Sequence, residues 1–205
     1  MDEWKIMNKH GHLKDLPTNL DWSMKNLPTL ITYSRFLFAI LVAILLCFNS
    51  DVLISLAVFF FVIGSLSDAL DGKLARRQKK PSKFGAFLDP IADKFLVFIV
   101  LVSLTFNRDS VILFILSLII ISREIIVMSL REWMASINNK EVVEVSNLGK
   151  YKTIIQMSGI SLVIGTPLVE NYYYGEISLS ILLLGALLGV LSGFIYLKKS
   201  YKYLF

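Results

Sequence analysis

Residues 67–76 read Ser67-Asp68-Ala69-Leu70-Asp71-Gly72-Lys73-Leu74-Ala75-Arg76, and residues 85–94 read Gly85-Ala86-Phe87-Leu88-Asp89-Pro90-Ile91-Ala92-Asp93-Lys94. A long apolar run precedes the first stretch, another follows the second, and a basic run from Lys73 to Lys83 joins them. Carboxylates are kept out of hydrocarbon unless they are used, since each costs roughly 2.5 to 3.5 kcal/mol on insertion scales. Four of them at two adjoining helix ends therefore bear on fold and chemistry together. On a helix, Asp68 and Asp71 are three apart and Asp89 and Asp93 four apart, so each pair points from one face. A short connecting loop sets the two pairs opposite each other.

Working outward, six stretches are apolar enough to cross a bilayer, for which about 20 residues of helix suffice. They are Leu30 to Phe48, Val52 to Leu70, Asp89 to Phe106, Val111 to Leu130, Thr153 to Val169 and Ile177 to Leu197. The 205-residue chain is 55% hydrophobic, with a mean hydropathy of +0.65 and 18% charged residues, which excludes a disordered or collagen-like chain and indicates a membrane protein. Its single cysteine, Cys47, excludes a disulfide scaffold. The net charge of +5 does not call for nucleic acid, because the basic residues fall on one side of the membrane. The connections after spans one, three and five carry Arg108 alone. Lys5, Lys9, Lys14 and Lys25, the Lys73–Lys83 run, Lys140, Lys150 and Lys152, and Lys198, Lys199 and Lys202 all lie on the other side. Both termini are thus expected in the cytoplasm.

The domain organisation expected is an N-terminal cytoplasmic and juxtamembrane segment, residues 1–25, followed by a six-helix transmembrane catalytic domain, residues 26–205. No cleavable signal peptide is read before the first span. The segment from Trp4 to Leu27 mixes aromatic, aliphatic and basic residues, as a helix lying on an anionic leaflet does, and equally as a loosely ordered tail does. His10 and His12 have no ligand cluster near them in sequence, and Tyr172, Tyr173 and Tyr174 read as interfacial anchors. Gly185, Gly189 and Gly193 form a stripe along the last span that permits close helix packing, either within the fold or between subunits.

The four aspartates define the expected chemistry. Without cations they would repel one another and raise each other's pKa. Oxygen donors with no His or Cys among them suit Mg²⁺ or Mn²⁺, and four carboxylates suit two ions about 3.5 to 4 Å apart, a clamp for displacement at phosphorus. Ala75 lies on the carboxylate face and leaves room there, Gly72 and Gly85 permit close backbone approach, and Arg76 offers a fork for phosphate. Pro90 reads as a first-turn residue, with Asp89 at the helix N-terminus. The competing reading, structural ion pairs with Lys73, Arg76, Arg77 and Lys94, accounts for the charges but not for the small residues or the spacing.

The pattern D-x2-D-G-x2-A-R-x8-G-x3-D-x3-D, matched at Asp68, Asp71, Gly72, Ala75, Arg76, Gly85, Asp89 and Asp93, resembles that of the CDP-alcohol phosphotransferases. The resemblance implies an all-α fold of six transmembrane helices with both termini cytoplasmic, usually a homodimer, in a bacterial cytoplasmic (inner) membrane with the active site facing the cytoplasm. It further implies that Asp68, Asp71, Asp89 and Asp93 hold two Mg²⁺ or Mn²⁺ ions, that Asp93 is also the catalytic base, and that Gly72, Ala75, Arg76 and Gly85 contact the CDP moiety. Asn26 and Thr29, in Asn26-Leu27-Pro28-Thr29, join that CDP-binding set.

Acceptors in the family vary. Ser122 to Ala135, Leu148 to Met157, and Asn26-Leu27-Pro28-Thr29 leading to Arg35 resemble the corresponding segments of bacterial members that use glycerol 3-phosphate. Such sequences begin a few residues before Asn26, which makes Met24 an expected second start. Arg123, Arg131, Lys150, Lys152 and Arg35 are the expected acceptor-phosphate residues, since a dianion needs several cations beside the metal site. Arg123 with Glu124, and Arg131 with Glu132, also read as helix-packing ion pairs. The expected partners are CDP-diacylglycerol, glycerol 3-phosphate, membrane lipids and a second copy of the chain, with no nucleic acid. The expected reaction transfers the phosphatidyl group from the first to the second, releasing CMP. The alternatives are a different acceptor, such as inositol phosphate, and a divalent-cation transporter whose path the carboxylates would line.

Overall fold

In the computed structural model, the described residues are 19–75, 83–137 and 147–204; side chains are described for these except at 19–32, 68–75, 83–87, 89–90, 93, 147–148, 150, 172, 202 and 204. Every regular element among them is helical. The helices are α1 (Asn19–Leu46), α2 (Asp51–Ala75), α3 (Lys83–Asn107), α4 (Val111–Ser136), α5 (Asn147–Ile164) and α6 (Tyr172–Leu204), with one 3₁₀ turn, Thr166–Leu168, between the last two.

Three- and four-residue spacing selects the inward faces. In α1 the buried positions are Arg35, Ala39, Val42 and Leu46, and in α2 Ile54, Ala57 and Phe61. The apolar ones meet Leu96, Val100 and Leu104 of α3, Leu113, Leu116 and Ile120 of α4, Ile160 and Ile164 of α5 and Leu182 and Ala186 of α6 in one core. A smaller cluster of Val127, Leu130, Met134 and Tyr196 closes the α4–α6 contact further along. Helix α1 packs on α2 and α3, while α6 packs on α5 and α4.

The outward faces are apolar as well. Leu37, Phe59, Ile112, Leu191 and Phe194 stand more than half exposed, and Phe106 is 86% exposed. A surface of this kind suits lipid rather than water. Two helices are long and apolar enough to cross a membrane, α4 and the Tyr173–Tyr201 part of α6, with shorter apolar stretches at Tyr33–Leu46, Asp51–Ser67 and Lys94–Asn107.

Helix ends differ from the expected spans: α1 starts at Asn19 rather than Leu30, which puts Asn26 and Thr29 on it, and α6 runs from Tyr172 to Leu204 rather than from Ile177 to Leu197. Helix α3 starts at Lys83, so Asp89 and Pro90 sit in its second turn rather than at its start; the apolar run Phe84 to Leu88 carries the helix back over Pro90, whose missing N–H forfeits one backbone bond. Helix α2 runs past the apolar span that ends at Leu70 as far as Ala75, so Asp68, Asp71, Gly72 and Ala75 share one helix, as their spacing anticipated. Helix α5 stops at Ile164 instead of reaching Val169, because Pro167 has no N–H to continue the ladder and Gly165 accepts from Leu168 N–H at 3.0 Å to begin the 3₁₀ turn. The entry of α4 is capped by Ser110, whose hydroxyl accepts from Leu113 N–H at 3.3 Å. Residues 1–18, with His10 and His12, and residues 76–82 and 138–146, with Arg76, Arg77 and Lys140, lie outside the described residues.

Candidate active site

The end of α2 and the start of α3 bring the motif to one end of the bundle. Asp68, Asp71, Gly72 and Ala75 are in the last turns of α2, and Gly85, Asp89 and Asp93 are in the first turns of α3, with seven residues, 76–82, joining the two helices. Their side chains, and those of Asn26 and Thr29 on α1 and Lys150 on α5, lie outside the described set. The donor chemistry fits a hard divalent cation, since four carboxylates and no His or Cys occur between residues 68 and 93. Among the described residues, no group of three or more His, Cys, Asp or Glu is assembled to hold a metal.

Just before the first aspartate, α1 supports α2 through a polar contact. Arg35 is 1% exposed, and its Nε donates to the Ser67 hydroxyl at 3.3 Å, while Ser67 donates to the Gly64 carbonyl at 2.7 Å. Arg35 is thus attached to the aspartate-bearing end of α2.

A second polar centre lies midway along α4. Glu124 is 3% exposed, and its carboxylate gathers cations from three helices. Lys94 Nζ of α3 stands 2.9 Å from Oε2, Lys152 Nζ of α5 donates to Oε1, and Arg123 Nη1 of α4 itself lies 3.2 Å from Oε1. The side chains of Lys152 and Arg123 are 5% and 12% exposed, whereas that of Lys94 is 34% exposed. An isolated buried carboxylate would be costly, and three cations offset that cost. Counted over these four residues, three positive charges face one negative charge, leaving the set two charges positive.

Helix α6 fixes Arg123 from the other side. Nε donates to the Gly189 carbonyl at 2.8 Å and Nη2 to the Ser192 hydroxyl at 3.0 Å. The glycine stripe of α6 runs beside it, tight at one position and roomy at the other two. A Cβ on Gly189 would touch Lys152 Cε at 3.6 Å and Arg123 Cδ at 3.7 Å, and one on Gly193 would touch Arg123 Cγ at 3.7 Å. A Cβ on Gly185 would stand 2.9 Å from Gln156 Cα. Gly185 is therefore used within the fold, for the close α5–α6 contact, while an alanine at Gly189 or Gly193 would make only ordinary contacts with Arg123 and Lys152. Beside the stripe an apolar groove of about 360 Å³ opens between α4 and α6, walled by Arg123, Ile119, Ile126 and Phe194.

Of the expected acceptor residues, the structure thus brings Arg123 and Lys152 together on Glu124. It places Arg35 against Ser67, and Arg131 half-buried on α4 about 12 Å along the helix from Arg123. The Arg123–Glu124 ion pair read from the sequence is present; the sequence reasoning missed Ser192, and it offered Lys94 as an ion-pair partner without assigning it to Glu124. An acidic residue within an otherwise apolar helix was the signal available.

The CDP-alcohol phosphatidyltransferase family model matches residues 25–191. A curated relative from Haemophilus influenzae, named CDP-diacylglycerol--glycerol-3-phosphate 3-phosphatidyltransferase, is 39% identical over 176 residues, which covers 84% of this chain and 92% of the relative. Relatives with the same name from Rickettsia typhi and Escherichia coli K12 are 36% identical over 184 residues and 38% identical over 152 residues. Those alignments cover 88% and 73% of this chain, and 99% and 82% of the respective relatives.

Proposed function

The chain belongs to the CDP-alcohol phosphatidyltransferase family, and from that premise we propose that it transfers the phosphatidyl group of CDP-diacylglycerol to glycerol 3-phosphate, giving phosphatidylglycerophosphate and CMP. It is a membrane transferase of phospholipid biosynthesis. The observation that carries the acceptor assignment is the net-positive set on Glu124, tied through Lys94 to the same helix as Asp89 and Asp93. A dianionic phosphate matches its charge, whereas a zwitterionic alcohol such as serine does not.

In this reading all six helices cross the bacterial inner membrane, both termini and the active site face the cytoplasm, and the enzyme acts as a homodimer. The one-sided distribution of Lys and Arg supports the orientation. Residues 26–205 form the catalytic domain and residues 1–25 its juxtamembrane lead.

The family uses divalent metal ions. Asp68, Asp71, Asp89 and Asp93 would hold two Mg²⁺ or Mn²⁺ ions here, which supply charge stabilisation at the diphosphate. Gly72, Ala75 and Gly85 leave room for the CDP head beside Asn26 and Thr29, and Arg76 pairs with its phosphate. Arg123, Arg131, Lys150, Lys152 and Arg35 serve the acceptor phosphate, Arg35 from the α2 end. Asp93 takes the proton of the acceptor's 1-hydroxyl as that oxygen bonds to the phosphorus bearing diacylglycerol. The bond from that phosphorus to the bridging oxygen breaks, and CMP departs with the electron pair.

The test is CMP release by purified protein in mixed micelles with CDP-diacylglycerol and Mg²⁺, adding glycerol 3-phosphate, inositol phosphate or serine separately. Release with glycerol 3-phosphate alone is expected. Release with another alcohol only would discard the acceptor, and metal flux without any CMP release would favour the transporter.

A further inference from the structure

The ion-paired set on α3, α4 and α5 contains one acid, Glu124, and its place in the set is specific. Glu124 Oε2 takes Lys94 while Oε1 takes Lys152 and Arg123, so one carboxylate fixes three cations from three helices. The cations differ in what remains to them. Arg123 spends three of its five donors, Nε on Gly189, Nη2 on Ser192 and Nη1 on Glu124. Lys152 is buried with Glu124. Lys94 is the most open of the three, at 34% exposed, and an ammonium carries three donors.

Depth adds a second observation. Asp93 lies 14 residues from the Asn107 end of α3 and Glu124 lies 13 residues from the Val111 start of α4, or about 21 and 20 Å along adjoining helices. The cation set and the backbone of Asp93 therefore stand at one level, with Lys94 the next residue after Asp93.

Building on the glycerol 3-phosphate reading, we propose that Glu124 is a positioning residue of the acceptor site, which holds Lys94, Lys152 and Arg123 as a preformed phosphate seat, and that Lys94 is the cation of this seat that contacts the phosphate. A phosphate of charge close to −2 balances the +2 of the set. The seat and the attacked hydroxyl are then held in register by a single helix, α3.

The two roles open to Glu124 predict opposite signs. If charge alone drew the acceptor, Glu124→Gln would raise the set to +3 and lower the KM for glycerol 3-phosphate. If Glu124 positions the cations, the same change loosens them and raises that KM. The measurement is CMP release in mixed micelles by wild type, Glu124→Gln, Glu124→Asp and Lys94→Met, reading both substrate KM values, kcat and the melting temperature in detergent. Glu124→Gln and Lys94→Met are expected to raise the KM for glycerol 3-phosphate about ten-fold and leave that for CDP-diacylglycerol within about two-fold, with part of the loss recovered in Glu124→Asp. Lys94 is partly exposed, so its variant decides the matter even where Glu124→Gln does not fold. An unchanged or lowered acceptor KM in Lys94→Met, or equal rises in both KM values, overturns the proposal. Failure of the underlying reading looks different: wild type itself then gives no release with glycerol 3-phosphate. If wild type uses inositol phosphate instead, the same shifts are read on that substrate, and if it uses serine alone the phosphate seat falls too.

Discussion

Lys94 Nζ on α3 lies 2.9 Å from Glu124 Oε2 on α4, an ion pair that locks the helix carrying Asp89 and Asp93 to the helix carrying Arg123. Elements that meet through packed helices hold a distance more firmly than elements that meet through a loop, and a transferase has to hold two substrates at a fixed separation. The core residues Leu96, Leu104, Leu113 and Ile120 brace the same helix pair along its length.

Asp93→Asn tests the base. The amide keeps the size of the side chain but cannot take the acceptor's proton, so turnover is expected to fall by about 10² to 10⁴. The melting temperature in detergent should remain near that of wild type. CMP release at the wild-type rate would remove Asp93 from the role.

Arg123→Ala addresses the acceptor side. Loss of the guanidinium removes contacts to Glu124, Gly189 and Ser192 at once, so some loss of stability is expected together with a rise in the KM for glycerol 3-phosphate. Comparing that rise with the KM for CDP-diacylglycerol separates the roles. A larger effect on the acceptor supports the phosphate site, whereas equal effects leave Arg123 a packing residue.

Metal removal tests the aspartates as a set. Chelation with EDTA should stop CMP release, and Mg²⁺ or Mn²⁺ should restore it, because an all-oxygen donor set prefers hard cations. Asp71→Asn should raise the concentration of Mg²⁺ needed for half-maximal rate. A rate indifferent to EDTA would exclude the aspartate site as a metal centre.

Much of this architecture was legible from the residues because hydrocarbon penalises exceptions. The helical course of α2 and α3 through the aspartate positions at their adjoining ends and the three- to four-residue spacing of Ala39, Val42 and Leu46 follow from that penalty and from helix periodicity. The helix ends were less legible, because propensity and packing compete there: α3 ran back past Pro90 to Lys83, and α5 stopped short at Ile164. The Glu124 set was hidden for a different reason. Its members lie 28 and 30 residues from Glu124 in sequence, at Lys152 and Lys94, and no local pattern links residues brought together only by the packing of three helices.

Gly185 and Gly175 give a matched pair on α6. A Cβ at Gly185 would sit 2.9 Å from Gln156 Cα, against the backbone of α5, whereas one at Gly175 would have nothing within 4 Å. Gly175→Ala should therefore be neutral or gain less than about 1 kcal/mol from helix propensity. Gly185→Val should force α5 and α6 apart and cost about 1 to 3 kcal/mol, visible as a lowered melting temperature in detergent. Gln156 is one turn beyond Lys152 on α5, so the same displacement draws Lys152 away from Glu124. The acceptor KM should then rise along with the loss of stability. A destabilised Gly185→Val protein that keeps its wild-type KM for glycerol 3-phosphate would show that the α5–α6 contact holds the fold together without setting the position of Lys152.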